Sequence, residues 1–230
     1  MSDTFVQYFQ QRFNIEDKGT KTPGPVVTIS REFGCDAKGL ANLLASRLNE
    51  FYLPIGATRT WMVVSKEILM ETAKQLQTDS KKIEYVFSFE KRNLVDDFML
   101  SLSTKNHLSD WIVKEAIKKV IREFSESGYA IIIGRAGAQI AREIEKSVHI
   151  KLVAPLEFRK QLIINNYNIP EKDAEKKIHE MDKGRDKLIK MFVKETQCEG
   201  CYDVYYNIRF LTHEQVCSNV IHLMQQKKLI

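Results

Sequence analysis

The loop after the first apolar run of the chain has the residues of a phosphate-binding site. Val26 to Ile29 is a short, β-branched run, and Gly34 and Gly39 follow it immediately before a leucine-rich helical pattern. A strand, a glycine loop and a helix in this order offer backbone N–H groups and a positive dipole end to an anion. Lys38 adds a positive charge. The stretch therefore predicts phosphate binding, and an ordinary β–α turn is the alternative.

Four arginines could stabilise a phosphoryl group during its transfer. Such catalysis is mostly positioning and electrostatic stabilisation, and the planar guanidinium group pairs with two phosphate oxygens at once. Arg31 and Arg135 stand at the ends of apolar runs, whereas Arg159 and Arg185 lie in later helical patterns. Structural ion pairing at a strand end is the alternative for Arg31 and Arg135, and Glu32 makes it a strong one for Arg31.

The charged segment 170–192 is a candidate lid. It contains Asp182 and Arg185 with several lysines around them. Because glycine inside a helix costs about 1 kcal/mol relative to alanine, Gly184 predicts a break or a hinge. The alternative is a solvated charged helix without a functional role.

Apolar runs alternate with helical patterns along most of the chain. Strands are predicted at 26–29, 130–133, 148–154 and 204–208, with a short strand or loop at 51–54. Helices are predicted after the first strand and at 66–77, 81–88, 90–102, 109–127, 137–146, 155–166, 170–194 and 212–226. This alternation indicates a parallel sheet covered on both faces, which binds ligands at the carboxyl ends of its strands. Residues 57–127 depart from the alternation and are predicted to form a helical insertion over the site.

Residues 1–25 are predicted to lie outside this domain, which spans 26–230. Phe5, Phe9 and Phe13 mark one face of a short amphipathic helix. We expect this helix to clasp the protein's own core, with a partner site as the less favoured alternative. A linker of turn residues at 20–25 joins it to the first strand.

Composition and net charge bear on which ligands and which cellular location are expected for the protein. The 230 residues carry a net charge of +5, which suits small anionic substrates but is weak support for nucleic-acid binding. Because no run of about eighteen apolar residues occurs, no membrane span is expected. The first residues lack a basic region followed by an apolar core, so we expect no signal peptide and a cytoplasmic protein.

The four cysteines are expected to be free thiols in a reducing compartment. Cys198 and Cys201 form a C-x-x-C pair, which leaves a redox pair or half of a zinc site open. His213 and Cys217 could complete four zinc ligands. A loop with two incidental thiols is the favoured interpretation.

Five blocks of the chain resemble the cytidylate kinase-like family. They are ISREFGCDAKGLANLLASRL at 29–48, GYAIIIGRAGA at 128–138, HIKLVAPLEFRKQ at 149–161, the D-x-x-R of Asp182 and Arg185, and YDVYYNIRFLTHEQV at 202–216. The blocks occur in the family's order over about residues 26–225. Each block alone is weak, but five in order are fairly specific.

The resemblance implies a three-layer α/β/α parallel sheet of the P-loop nucleoside monophosphate kinase type, with a helical acceptor-binding insertion and a lid at about 167–200. It also implies an enzyme that transfers the γ-phosphoryl group of ATP to a nucleoside monophosphate such as CMP, with Mg²⁺. The implied partners are nucleotide substrates, without nucleic acid or membrane, and a homodimer remains open.

The resemblance further implies roles for individual residues. The donor site would be formed by Ser30, Arg31, Gly34, Cys35, Asp36, Ala37, Lys38, Gly39 and Leu40. The catalytic residues would be Lys38, Arg135, Arg159, Asp182 and Arg185. Arg135 would contact the acceptor phosphate, Arg159 and Arg185 would stabilise transferred charge, and Asp182 would orient Arg185. No metal-ligating side chain is predicted.

Two features of the loop favour an alternative function. Asp36 places a negative charge beside the expected phosphates, and Leu40 stands where a hydroxyl could hold Mg²⁺. A catalytically weak or inactive nucleotide-binding protein with a regulatory or interaction role therefore remains open. A thiol or zinc protein that uses Cys198 and Cys201 is the third hypothesis.

Overall fold

Five parallel strands form the sheet in the computed structural model, which describes residues 24–52, 60–64, 107–196 and 201–230. They are β1 (Val26–Arg31), β2 (Met62–Val64), β3 (Ala130–Ile133), β4 (Ser147–Val153) and β5 (Val204–Asn207), in the order β2-β3-β1-β4-β5. Central β1 pairs Ile29 with Ile133 of β3 and Ser30 with Lys151 of β4. The carboxyl ends of these strands therefore meet at one edge of the sheet.

Helices cover both faces of the sheet. In the described residues they are α1 (Ala37–Tyr52), α2 (His107–Ser127), α3 (Gly137–Ile140), α4 (Leu156–Tyr167), α5 (Glu171–Thr196) and α6 (His213–Gln226). Residues of α1 and α6 pack on one face, and residues of α2, α3 and α5 pack on the other. This arrangement confirms the predicted three-layer α/β/α sheet.

The first four residues of β1 are buried, and three of them, Val26, Val27 and Ile29, are apolar. Val27 and Ile29 pack against the α1–α6 layer, whereas Val26 packs against the α2–α3–α5 layer. Successive side chains of a strand point to opposite faces, so a strand between two helical layers needs apolar residues on both.

Two predicted helix ends are confirmed in atomic detail. Thr212 caps α6: its side chain accepts the N–H of Gln215, while the Gln215 side chain accepts the backbone N–H of Thr212. Gly128 ends α2 with φ of +72° and donates its N–H to the Phe124 carbonyl at 3.1 Å. A side chain at Gly128 would collide with the Gly24 carbonyl.

Four predictions about the elements were wrong or incomplete. Helix α1 continues to Tyr52, so the segment predicted as a strand or loop begins as helix. Helix α3 ends at Ile140, six residues before its predicted end. Helix α5 runs through Gly184 without the predicted break. Strand β2 was not predicted.

Several other predictions lie outside the described residues. These are the N-terminal helix with Phe5, Phe9 and Phe13, the linker up to residue 23, the helices predicted between 66 and 102, and most of the insertion at 57–127. The division into domains therefore stays a prediction. Among the described helices, none is both long and apolar enough to cross a membrane.

Candidate functional site

A cavity of about 180 Å³ lies at the carboxyl ends of β1 and β3, between the sheet and α5. Its walls include five residues that the sequence singled out, namely Ser30, Arg31, Arg135, Asp182 and Arg185. These residues come from three separate parts of the chain. The sheet order and the path of α5 bring them together.

The turn that carries Arg135 has a strained backbone. Gly134, Arg135 and Ala136 have φ angles of +68°, +54° and +55°, in the left-handed region that non-glycine residues seldom adopt. Such strain persists only where the surrounding structure enforces it, and it is common at functional sites. A side chain at Gly134 would collide with the guanidinium group of Arg31. Because Gly134 has no side chain, Arg31 can lie against this turn.

Asp182 and Arg185 lie one helical turn apart on α5 and contact each other. Nη1 of Arg185 lies 3.4 Å from Oδ1 of Asp182, and its guanidinium carbon lies 5.2 Å from the ring centroid of Phe33. Asp182 also accepts the backbone N–H of Phe33 at 2.7 Å. The carboxylate therefore holds Arg185 and fastens α5 to the loop after β1.

Arg159 does not line the cavity, but it contacts two residues that do and connects the loops around it. It is 8% exposed, donates from Nε to the Ala154 carbonyl at 3.0 Å, and donates from Nη1 to Asp182 at 2.6 Å and to the Phe33 carbonyl at 3.2 Å. Glu32 lies 3.4 Å from Nε. Two carboxylates therefore balance this buried charge, and the geometry is that of a structural anchor.

The glycine loop is hydrogen-bonded within itself. The N–H groups of Cys35 and Ala37 donate to the carbonyls of Glu32 and Cys35. The Gly39 N–H donates to Oδ1 of Asp36 at 2.8 Å, which makes Asp36 the N-cap of α1. A carboxylate thus occupies an anion position at this helix N-terminus.

The other residues of the loop divide between core and surface. Cys35, Ala37 and Leu40 are buried among the residues of the α1–α6 layer, so only their backbone could meet a ligand. Asp36 and Lys38 are exposed. Gly34 has φ of +94° and packs against Arg159. None of the residues from 34 to 40 lines the cavity.

The cysteines are not uniformly free. Burial raises the pKa of Cys35 to about 12, with Glu32 adding to the effect, and burial raises the pKa of Cys217 to about 11. Both are therefore protonated thiols at neutral pH. Cys201, by contrast, is disulfide-bonded, which corrects the expectation of a free thiol and removes one predicted zinc ligand. Among the described residues, no three His, Cys, Asp or Glu side chains form a metal site.

Three polar residues that line the cavity, Lys151, Asp186 and Tyr202, were not predicted from the sequence. The Lys151 ammonium lies 5.7 Å from the ring centroid of Tyr202 and 5.9 Å from that of Tyr205. A lysine within the predicted strand β4 was an available signal. Tyr202 belongs to a block that resembled the family's closing strand and helix, and it was given no role of its own.

Comparisons with known proteins give a family and a fold. The model of the cytidylate kinase-like family matches residues 26–208, which contain all five described strands. An uncharacterized protein from Eubacterium ventriosum ATCC 27560 has a similar structure, with a TM-score of 0.57 and 18% identity over 87% of this chain and 98% of that chain. At this identity the likeness shows the fold alone.

Shikimate kinase from Acinetobacter baumannii, in complex with shikimate, is more distant. Its TM-score is 0.48 and its identity 14%, over 91% of this chain and 97% of that chain, which is too low to support an argument. No curated protein matches the chain.

Proposed function

Because the chain belongs to the cytidylate kinase-like family, we propose that it transfers the γ-phosphoryl group of ATP to a nucleoside monophosphate, with a CMP-like acceptor. Family membership supports a nucleotide kinase-like function in general. The more specific proposal rests on one observation, namely that Arg31, Arg135 and Arg185 line a single cavity at the strand ends. Three guanidinium groups around one space suit a ligand with phosphate groups.

The arginines would offset the negative charge of the acceptor phosphate and of the γ-phosphoryl group of ATP, which must approach each other. Arg135 binds the phosphate of the acceptor, Arg31 adds positive charge beside it, and Arg185 neutralises charge on the moving phosphoryl group. An acceptor phosphate oxygen forms a bond to the γ-phosphorus as the bond to the β–γ bridging oxygen breaks, and ADP leaves with that oxygen. Asp182 positions Arg185, and Arg159 positions Asp182.

The donor phosphates would bind at the loop from Gly34 to Leu40, with Lys38 as a mobile cation. Exposure of Lys38 leaves its ammonium group accessible to ATP. The Gly39 N–H already donates to Asp36, so a donor phosphate would have to replace this carboxylate. We therefore expect ATP to bind more weakly than it would to a loop without an acidic residue.

Mg²⁺ is implied by the family, and the oxygen donors of the cavity fit it. Mg²⁺ is usually held by substrate phosphates, waters and one or two carboxylates. Glu32 and Asp182 are engaged with Arg159, so Ser30 and Asp186 would hold the ion at the cavity wall. When bound, it would neutralise charge on the donor phosphates.

A coupled assay of ADP release across a panel of nucleoside monophosphates tests the proposal. We expect one acceptor to raise turnover well above that with ATP alone. Arg135→Ala should lower kcat/KM about 100-fold, in the range found when one transition-state donor is removed. Arg142→Ala is the matched control, because Arg142 is an exposed arginine in the turn after α3 and does not line the cavity.

The alternative function, nucleotide binding with weak or no catalysis, is favoured by the bond between Asp36 and the Gly39 N–H. Calorimetry together with the kinase assay distinguishes the kinase function from nucleotide binding without catalysis. ATP binding without phosphoryl transfer to any acceptor would support the alternative and contradict the kinase proposal. If the protein bound no nucleotide at all, both functions would be wrong.

A further inference from the structure

The side chain of Tyr202 lines the cavity and contacts three other side chains. Lys151 lies over its ring, Tyr205 packs edge-on at a centroid distance of 5.4 Å, and the Gln139 amide nitrogen lies 3.5 Å from its hydroxyl oxygen. Three contacts from different elements thus fix both the ring and the hydroxyl. Preorganised polar groups of this kind are the ones that give a binding site its specificity.

The buried amide of Gln139 is costly in this position. Gln139 is 2% exposed, and its Oε1 atom has no hydrogen-bond partner among the described residues. An unsatisfied buried acceptor destabilises a fold, and an apolar side chain of similar size would not incur this cost. The amide instead contributes its N–H group, which faces the Tyr202 hydroxyl.

The direction of this hydrogen bond determines what Tyr202 can do. Because Gln139 donates to the hydroxyl oxygen, the hydroxyl proton is directed toward another acceptor. Tyr202 lines the cavity and Gln139 does not, so the cavity is where the ligand would supply that acceptor. Arginines from β1, β3 and α5 already provide cationic donors for phosphate groups in the same cavity.

We propose that Tyr202 is a specificity-determining residue that donates a hydrogen bond to a carbonyl oxygen or ring nitrogen of the acceptor's nucleobase, and that Gln139 is its positioning residue. The inference rests on the proposed kinase function. It adds that base identity is read at the amino-terminal side of β5, in addition to any contacts from the insertion. A base that presents an acceptor atom to Tyr202 is favoured over one that presents a donor.

Three single variants, one double variant and two ligands test the proposal. Dissociation constants are measured by calorimetry for the panel nucleotide with the lowest KM and for ribose 5-phosphate, which lacks the base. Tyr202→Phe should weaken the nucleotide about tenfold and leave ribose 5-phosphate unchanged, because one hydrogen bond to the base is lost. In the kinetic assay, KM for the acceptor should rise while kcat and KM for ATP stay the same.

Gln139→Met tests the positioning role. Methionine has a similar volume and no amide, so we expect a higher melting temperature together with about threefold weaker nucleotide binding. In the Tyr202→Phe background the same change should not weaken binding further, because its effect acts through the hydroxyl. Tyr205→Phe is the matched control, since Tyr205 contacts the same lysine but does not line the cavity.

The outcomes separate this inference from the proposed function. Unchanged nucleotide affinity in Tyr202→Phe, with normal turnover by the wild type, overturns the inference alone. An equal loss of affinity for the nucleotide and for ribose 5-phosphate also overturns it, because the hydroxyl would then contact the sugar or the phosphate. A wild-type protein that binds no nucleoside monophosphate overturns both.

Discussion

Asp36 is the residue at which local stability and ligand binding conflict. A carboxylate at the N-cap satisfies the Gly39 N–H and interacts favourably with the helix dipole. The same carboxylate would repel ATP phosphates. Under the proposed function, a donor phosphate at this loop would have to replace the bond between Asp36 and the Gly39 N–H.

Asparagine at this position should separate the two effects. Asp36→Asn keeps a good N-cap but removes the negative charge, so we expect similar stability and about fivefold tighter ATP binding. Calorimetric titration with ATP measures this change. Asp173→Asn, at an exposed position in the first turn of α5, is the control. Unchanged or weaker ATP binding in Asp36→Asn would show that phosphates do not approach this carboxylate.

The buried thiols should be chemically inert in the folded protein. With pKa values of about 12 and 11, Cys35 and Cys217 carry almost no thiolate at pH 8, and only the thiolate reacts with alkylating reagents. Iodoacetamide should therefore label neither residue in the native protein and both in urea, as read by peptide mass spectrometry. Rapid native labelling of Cys35 would contradict its burial.

Single residues were predictable where their position in the chain determined their role. Arg31 and Arg135 follow apolar runs, so their placement at the sheet edge was predicted from the sequence. The buried anchoring contacts of Arg159 were not, because its partners Glu32 and Asp182 are distant in the chain. Gln139 gave no signal of its own.

Among the elements, α5 is fastened to the loop after β1 by Asp182. This carboxylate binds the Phe33 N–H, Arg159 and Arg185, so it joins a helix, a loop and a buried cation. Helix α5 continues through Gly184 without a break.

Removing the charge of Asp182 should destabilise the fold. In Asp182→Asn, Arg159 keeps only Glu32 as a carboxylate partner, so we expect a loss of about 2 kcal/mol in the free energy of unfolding. Urea unfolding measures this loss. Asp186→Asn, one turn further along α5 at an exposed position, should change stability by less than about 0.5 kcal/mol. Equal stabilities of the two variants would contradict the anchoring role.

The predictable elements were the long or strongly patterned ones. Strand β3 is a continuous apolar run, β4 alternates the apolar Val148, Ile150 and Leu152 with polar residues, and Thr212 carries a capping signature. Strand β2 has three residues and depends on pairing with β3, so its sequence carries little information. Gly184 was misinterpreted because packing of α5 against the sheet outweighs the small helical penalty of one glycine.

The whole molecule contains a buried neutral imidazole that links its stability to pH. His149 contacts the hydroxyls of Thr28 and Ser147 at 2.8 and 3.0 Å, and burial lowers its pKa to about 4 despite the opposing effect of Asp203. In the unfolded chain the imidazole titrates near 6.5. Between these values the unfolded state binds more protons than the folded state.

Stability should therefore be fully present above pH 6.5 and fall as the pH decreases toward 4. The difference between the two pKa values corresponds to about 3 kcal/mol at pH 4. His149→Gln removes the titrating group, so the difference in unfolding free energy between wild type and variant should shift by this amount between pH 7 and 4. His179→Gln, at an exposed site, is the control. A pH-independent difference would show that His149 is not the responsible group.

Phe33 connects the loop after β1 to residues of α4 and α5. Its N–H binds Asp182, its carbonyl binds Arg159, and its ring lies against Arg185 and Tyr167. Under the proposed function, we expect a donor that shifts the loop also to shift Arg185, which would couple the binding of the two substrates. Synergy of this kind is reciprocal by thermodynamic necessity: the factor by which ATP changes acceptor affinity equals the factor by which the acceptor changes ATP affinity. Order of addition would then leave the energy of the ternary complex unchanged.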